Sequence, residues 1–143
     1  MPGLPLSGVW GKPETLTVAN PGAGVLLSVP VPVAEQWWVY SVSFLFTASG
    51  VAANRLLRLE VDSAGVLVNS STKSTANHTA GLAIRYFFQV GMADFATFSD
   101  ARYFRQLPPL MLPPSVTITI QVDNLDPGDA FTNARVVLHR SYL

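Results

Sequence analysis

Apolar and polar residues alternate along most of this chain with a period of two. In "SVTITIQVDN", Val116, Ile118, Ile120 and Val122 fall on one side, and Thr117, Thr119 and Gln121 on the other. Successive side chains of a strand point to opposite faces, so the pattern predicts a half-buried strand. "RLLRLEVDSAGVLVN" predicts a hairpin. Leu57, Leu59 and Val61 face inward, Arg58, Glu60 and Asp62 outward, and "DSAG" turns the chain. "LAIRYFFQVG" puts Leu82, Ile84, Tyr86, Phe88 and Val90 inside and leaves Phe87 out of phase. In "VLLSVPV", Pro30 and Pro32 cannot donate to a ladder, which predicts a sheet edge. "LDPGD" carries Pro and Gly at the two middle positions of a tight turn.

These runs predict eight strands, over 15–20, 25–31, 37–48, 55–62, 65–70, 82–90, 115–123 and 130–141. Only "GMADFATFS", residues 91–99, has room for a helical turn. Residues 92–114, which contain "LPPLMLPP", read as a long irregular connection, and both this stretch and 72–80 are long enough to reach beyond the strands. Strands at such spacing without crossover helices predict an all-β, single-domain antiparallel β-sandwich. About eight strands with one or two long connections fit the jelly-roll type. The length of 143 residues suits one domain. Residues 1–14 read as an extended N-terminal arm and 15–143 as the sandwich.

One strand departs from the alternation. In "QWWVYSVSFLFT", residues 36–47, the period-two reading sends Trp38, Tyr40, Val42, Phe44 and Phe46 inward. The other side then holds Trp37, Val39, Ser41, Ser43, Leu45 and Thr47, and half of these are apolar. A sheet face open to water is mostly polar. The strand is therefore expected to be covered on both sides, by the chain's own arm and loops or by another subunit.

Composition sharpens this. Charged residues make up 13% of the chain, hydrophobic ones 49%, and nine basic residues balance nine acidic ones. A small chain with so few charges and no net charge tends to associate. The absence of Cys excludes disulfides and thiolate chemistry. A nucleic-acid binder normally has a basic excess, so none is expected as partner. No apolar run reaches the ~18 residues of a membrane helix, and no membrane partner is expected. "MPGLPLSGVWGKPE" lacks the basic and apolar regions of a signal peptide, so synthesis in a cytoplasm is expected.

Catalytic chemistry is sparse. His78 lies in a polar loop and His139 on the last strand, and neither has an evident partner for nucleophilic work. Two histidines fall short of a three-ligand metal site, including the His/Glu cluster of a cupin-type enzyme. Asp123, Asp126 and Asp129 surround the "LDPGD" turn, where they serve either the turn itself or a hard cation. The expectation is no catalytic residue, no cofactor and no metal. Arginine is more informative, with seven Arg against two Lys. Arg suits bidentate, partly buried contacts and is enriched at interfaces. Arg102 and Arg105 flank Tyr103 and Phe104, a composition typical of interface anchors, though also of an internal loop clamp. The candidate interface residues are Trp37, Leu45, Phe87, Arg102, Tyr103, Phe104 and Arg105.

The layout resembles the small structural proteins of tailed-bacteriophage virions. The resemblance rests on the Pro/Gly-rich arm, the "WVYSVSFLFTA" strand, the "NRLLRLEVDSAGVLV" hairpin, the late "LP" segment and the final "GDAFTNARVVLHR" strand, and covers roughly residues 35–140. Within that group the chain is most similar to capsid cement, or decoration, proteins. The resemblance implies a non-enzymatic protein on the outer capsid surface of the virion. It implies two partners, the major capsid protein and further copies of itself as a homodimer or homotrimer. The same layout also occurs in tail-associated proteins, which leaves a receptor- or carbohydrate-binding module as the alternative.

Overall fold

The structure, a computed structural model, describes residues 13–71, 73–94, 97–98 and 101–143. Ten strands appear in it: β1 (Glu14–Val18), β2 (Leu27–Pro30), β3 (Glu35–Thr47), β4 (Leu57–Ser63), β5 (Val66–Ser70), β6 (Ala83–Gln89), β7 (Arg102–Gln106), β8 (Leu110–Leu112), β9 (Val116–Val122) and β10 (Ala130–Tyr142). Two sheets pack face to face. The larger runs β1-β10-β3-β6-β7, with β8 paired to the start of β3; the smaller runs β2-β9-β4-β5. The fold is thus the all-β sandwich that the alternation predicts, and all eight expected strands are present. Residues 1–12 of the arm lie outside the described residues, and Glu14 already belongs to β1.

The turns form as their residues dictate. Ala64 and Gly65, both at positive φ, connect the paired residues Ser63 and Val66. Two positive φ values match the right-handed twist of the flanking strands. At the turn that carries the chain from β9 in the smaller sheet to β10 in the larger one, Asp129 N–H donates to Asp126 O at 2.9 Å. Gly24 lies against it, at φ +71°, where an added Cβ would sit 2.9 Å from Pro127 Cα. β2 ends in Pro30 and forms an edge of its sheet, as the prolines predict.

The connection at 92–114 is not irregular throughout, which corrects the sequence reading. "RYFRQ" alternates Tyr103 and Arg105 inward against Arg102, Phe104 and Gln106, and runs parallel to β6. Parallel neighbours need a crossover of a dozen or so residues, which the chain from 90 to 101 supplies. The described residues of 91–99 contain no helix. "LML", between two Pro-Pro pairs, buries Leu110 and Leu112 and pairs with Trp37–Val39. The loop after β5 does not reach beyond the sandwich. Ser71, Ser74 and Asn77 side chains accept the Leu59, Leu57 and Arg55 N–H groups at 2.7–2.9 Å, and so close the edge of β4. Leu82, expected inside, is 46% exposed just before β6 begins.

The two-sided greasiness of β3 has a local cause. Val39 pairs with Leu138 and Ser41 with Val137, so two steps on β3 match one on β10. Tyr40 is the extra residue of a β-bulge, and an extra residue inverts the alternation beyond it. Trp37 and Val39 therefore point into the core before the bulge, and Val42, Phe44 and Phe46 after it. Trp38 and Tyr40, expected inside, are half-buried on the outer side. Phe44 packs edge-on to Phe131 and stacks on Tyr86 and Phe88, with centroids 5.2–6.1 Å apart.

Candidate functional site

The outer face of the larger sheet gathers the side chains most suited to contact. Its registers define three rows across the strands. One runs Thr17, Arg135, Ser43, Phe87, Phe104 over β1, β10, β3, β6 and β7. A second runs Thr132, Leu45, Arg85, Arg102. A third runs Thr15, Val137, Ser41, Gln89, Gln106. No position in these rows is Asp or Glu.

Phe87 and Phe104 stack with centroids 5.0 Å apart and planes 11° from parallel. The Arg85 guanidinium lies 5.7 Å from the Phe87 ring centre. Its Nη2 donates to Ser43 Oγ at 3.2 Å and to Asn133 O at 3.1 Å. Burial, aided by the neighbouring Arg135 charge, lowers the Arg85 pKa from its ordinary value. Arg135 Nη1 donates only to a backbone carbonyl, Ala134 O, at 3.0 Å.

Of the seven sequence-predicted candidates, four meet on this face: Leu45, Phe87, Arg102 and Phe104. The other three do not, and each is a correction. Trp37 is 2% exposed because the bulge turns it inward. Tyr103 is fully buried, its hydroxyl accepting the Thr75 N–H at 2.8 Å. Arg105 is 4% exposed and lies 3.7 Å from an Asp94 oxygen. Sequence reasoning missed Arg85 and Arg135. Both stand at outward positions of the alternation, but only the register shows that β10, β3 and β6 bring them together.

His78 is fully buried rather than solvated, which corrects the loop reading. Its Nε2 lies 2.7 Å from Leu82 O, which can only accept, so Nε2 carries the proton. Nδ1 then accepts from the Tyr86 hydroxyl at 2.9 Å. Burial and the Arg55 charge outweigh the Leu82 bond and the Asp129 charge, so the pKa is lowered and the ring is neutral. Unfolded, it titrates near pH 6.5. As pH falls below that value the unfolded chain takes up a proton that the folded chain refuses. Stability is therefore expected to fall between about pH 7 and 5, read by urea titrations across that range. A His78 imidazolium seen by NMR in the folded protein at about pH 6.5 would contradict this. His139 is 8% exposed and meets Tyr40 edge-on at 5.2 Å.

The three turn carboxylates do not converge. Asp129 accepts from Arg55 Nε and from the Ser49 and Asp126 N–H groups at 2.8–2.9 Å. Asp126 accepts from Gly128 N–H, and Asp123 faces Lys73 and Arg58. Among the described residues no group of three His, Asp or Glu side chains is placed to hold a metal. Among the described residues one cleft of about 300 Å³ is lined by Ser70, Ser71, Asp94, Gln106 and Pro108, and two more open where the sheets meet. One of about 330 Å³ is lined chiefly by apolar side chains such as Val61, Val68, Leu110 and Leu112. The other, about 270 Å³, ends at Trp37 and the paired Glu35 and Arg140. No protein-family model matches this chain, and no curated protein or solved structure matches it either.

Proposed function

We propose that the protein is a capsid cement, or decoration, protein of a tailed bacteriophage. It binds the outer surface of the head and stabilises contacts between major capsid subunits, with no enzymatic role. The observation that carries this reading is the outer face of the larger sheet, where Leu45, the Phe87–Phe104 stack and Arg102 stand together on a rigid sheet. Aromatic and Arg side chains at the centre of a patch are the usual anchors of a protein contact. The mechanism is adhesive: the face bridges a joint between capsid subunits, so outward pressure from packed DNA must first break its contacts. The strand order β1-β10-β3-β6 opposite β2-β9-β4-β5 supports the jelly-roll form of the sandwich.

Self-association draws support from β5. It ends the smaller sheet, and Val66, Leu67 and Val68 are 54–67% exposed on it. A bare apolar edge invites a second strand, and an identical uncharged one pairs there without repulsion.

The test is a purified particle. The protein is expected on the head in copy number comparable to the major capsid subunit, and as a dimer or trimer by native mass spectrometry when isolated. A handful of copies confined to the tail, or a strict monomer that leaves heads bare, would overturn the reading.

A further inference from the structure

Resting on that docking reading, we propose that the outer face of the larger sheet recognises a protein surface bearing unpaired carboxylates. Every other described cation already has a carboxylate within 4.0 Å: Arg55 has Asp129, Arg58 has Glu60 and Asp123, Lys73 has Asp123, Arg105 has Asp94, and Arg140 has Glu14 and Glu35. Arg85, Arg102 and Arg135 are the exceptions, and all three lie in the rows of this face. In a chain with nine charges of each sign, that segregation is a property of the surface rather than of composition.

The three guanidiniums have donors to spare. Arg presents five N–H donors in a planar fork that matches a carboxylate. Arg85 and Arg135 use theirs on a hydroxyl and backbone carbonyls. Burial, with the Arg135 charge beside it, makes the Arg85 cation harder to hold. An incoming carboxylate relieves that, and the Phe87–Phe104 stack and Leu45 supply apolar area beside the charges. Charge-assisted Arg–carboxylate contacts are the stronger kind, and they set orientation as well as affinity.

Other occupants fit less well. A second copy docked face to face sets Arg against Arg. A second copy docked through its smaller sheet offers Glu60 and Asp123, which Arg58 and Lys73 already hold, and leaves only Asp62 to face three guanidiniums. A single-stranded nucleic acid stacks its bases on free aromatic faces, whereas Phe87 and Phe104 stack on each other.

The full chain is tested against immobilised polyglutamate at low salt, with polylysine and single-stranded DNA of matched charge as controls. Wild type is expected to bind polyglutamate, to lose that binding as salt rises, and to bind single-stranded DNA less well. The triple variant Arg85→Gln, Arg102→Gln, Arg135→Gln is expected to lose roughly tenfold or more in affinity, and Lys73→Gln to lose none. Arg102→Glu alone, at an exposed position, should show a smaller loss in the same direction if the triple variant folds poorly. Equal binding by wild type and variants overturns the proposal, and tighter binding to DNA assigns the face to nucleic acid instead. Head occupancy separates the two readings. If wild type binds polyglutamate but not heads, the cement reading fails and the carboxylate face stands. If wild type and triple variant coat heads equally, the reverse holds.

Discussion

Asp129→Ala is expected to destabilise the fold by roughly 3–5 kcal/mol, about what is lost when one partner of a buried ion pair is removed. Both side chains of the Arg55–Asp129 pair are 0% exposed. The carboxylate also takes the Ser49 and Asp126 N–H groups, so its loss strands three donors at once, one of them charged. These donors tie the start of β4, the end of β3 and the turn before β10. Burial pushes the Asp129 pKa up, but the hydrogen bonds from Arg55, Ser49 and Asp126 outweigh it and hold the carboxyl below its ordinary range. Its contribution is thus present above the ordinary carboxylate pKa of about 4 and is lost as pH falls through the lower folded value. Against a total stability of about 5–15 kcal/mol, the substitution leaves a marginal domain. Urea midpoints measure the loss. Asp129→Asn, which keeps an acceptor but not the charge, should recover part of it. A loss below about 1 kcal/mol would mean that water or another group replaces the carboxylate.

The Arg55–Asp129 pair also marks where sequence reading stops. Alternation is a local property, and it located eight strands, two tight turns and an edge at β2. It did so because each depends on residues a few positions apart. Arg55 and Asp129 are 74 positions apart, and Arg55 carries no local sign of burial. His78 sits among Ser, Thr, Lys and Asn, and such a loop reads as solvated. The structure instead spends Ser71, Ser74 and Asn77 on the edge of β4, and the histidine is drawn in with them. β8 was hidden by its length of three residues and by the prolines on both sides. Half of the candidate face was legible because Phe87 and Leu45 stand out of phase. Arg85 and Arg135 were not, since outward arginines on separate strands look ordinary until the register places them side by side.

The bulge at Tyr40 leads to the second large effect. Trp37→Ala is expected to destabilise by roughly 3–5 kcal/mol, as for other large aromatics cut from a core, whereas Trp38→Ala should lose distinctly less. The two residues are adjacent, and simple alternation assigns them the opposite way. Trp37 is 2% exposed and Trp38 only half-buried because Tyr40 inserts one residue into β3 opposite β10. Trp37 has a further tie: its indole N–H donates to Glu35 Oε1 at 3.3 Å, and Glu35 holds Arg140 at 3.0 Å. Truncation therefore opens a cavity beside the mouth between the sheets and loosens an ion pair that joins β3 to β10. Denaturant unfolding of both variants in parallel gives the comparison, since errors common to the two cancel. Deleting Tyr40 provides the complementary check. Without the extra residue the strand reads Trp37, Trp38, Val39, Ser41, Val42 in plain alternation with Trp37, Val39 and Val42 still inward, so Trp37→Ala should remain the more damaging substitution in that background. If Trp38→Ala proves the more damaging in the unmodified chain, β3 runs without the bulge; the outer rows at Ser41, Ser43 and Leu45 lie beyond it and keep their phase either way.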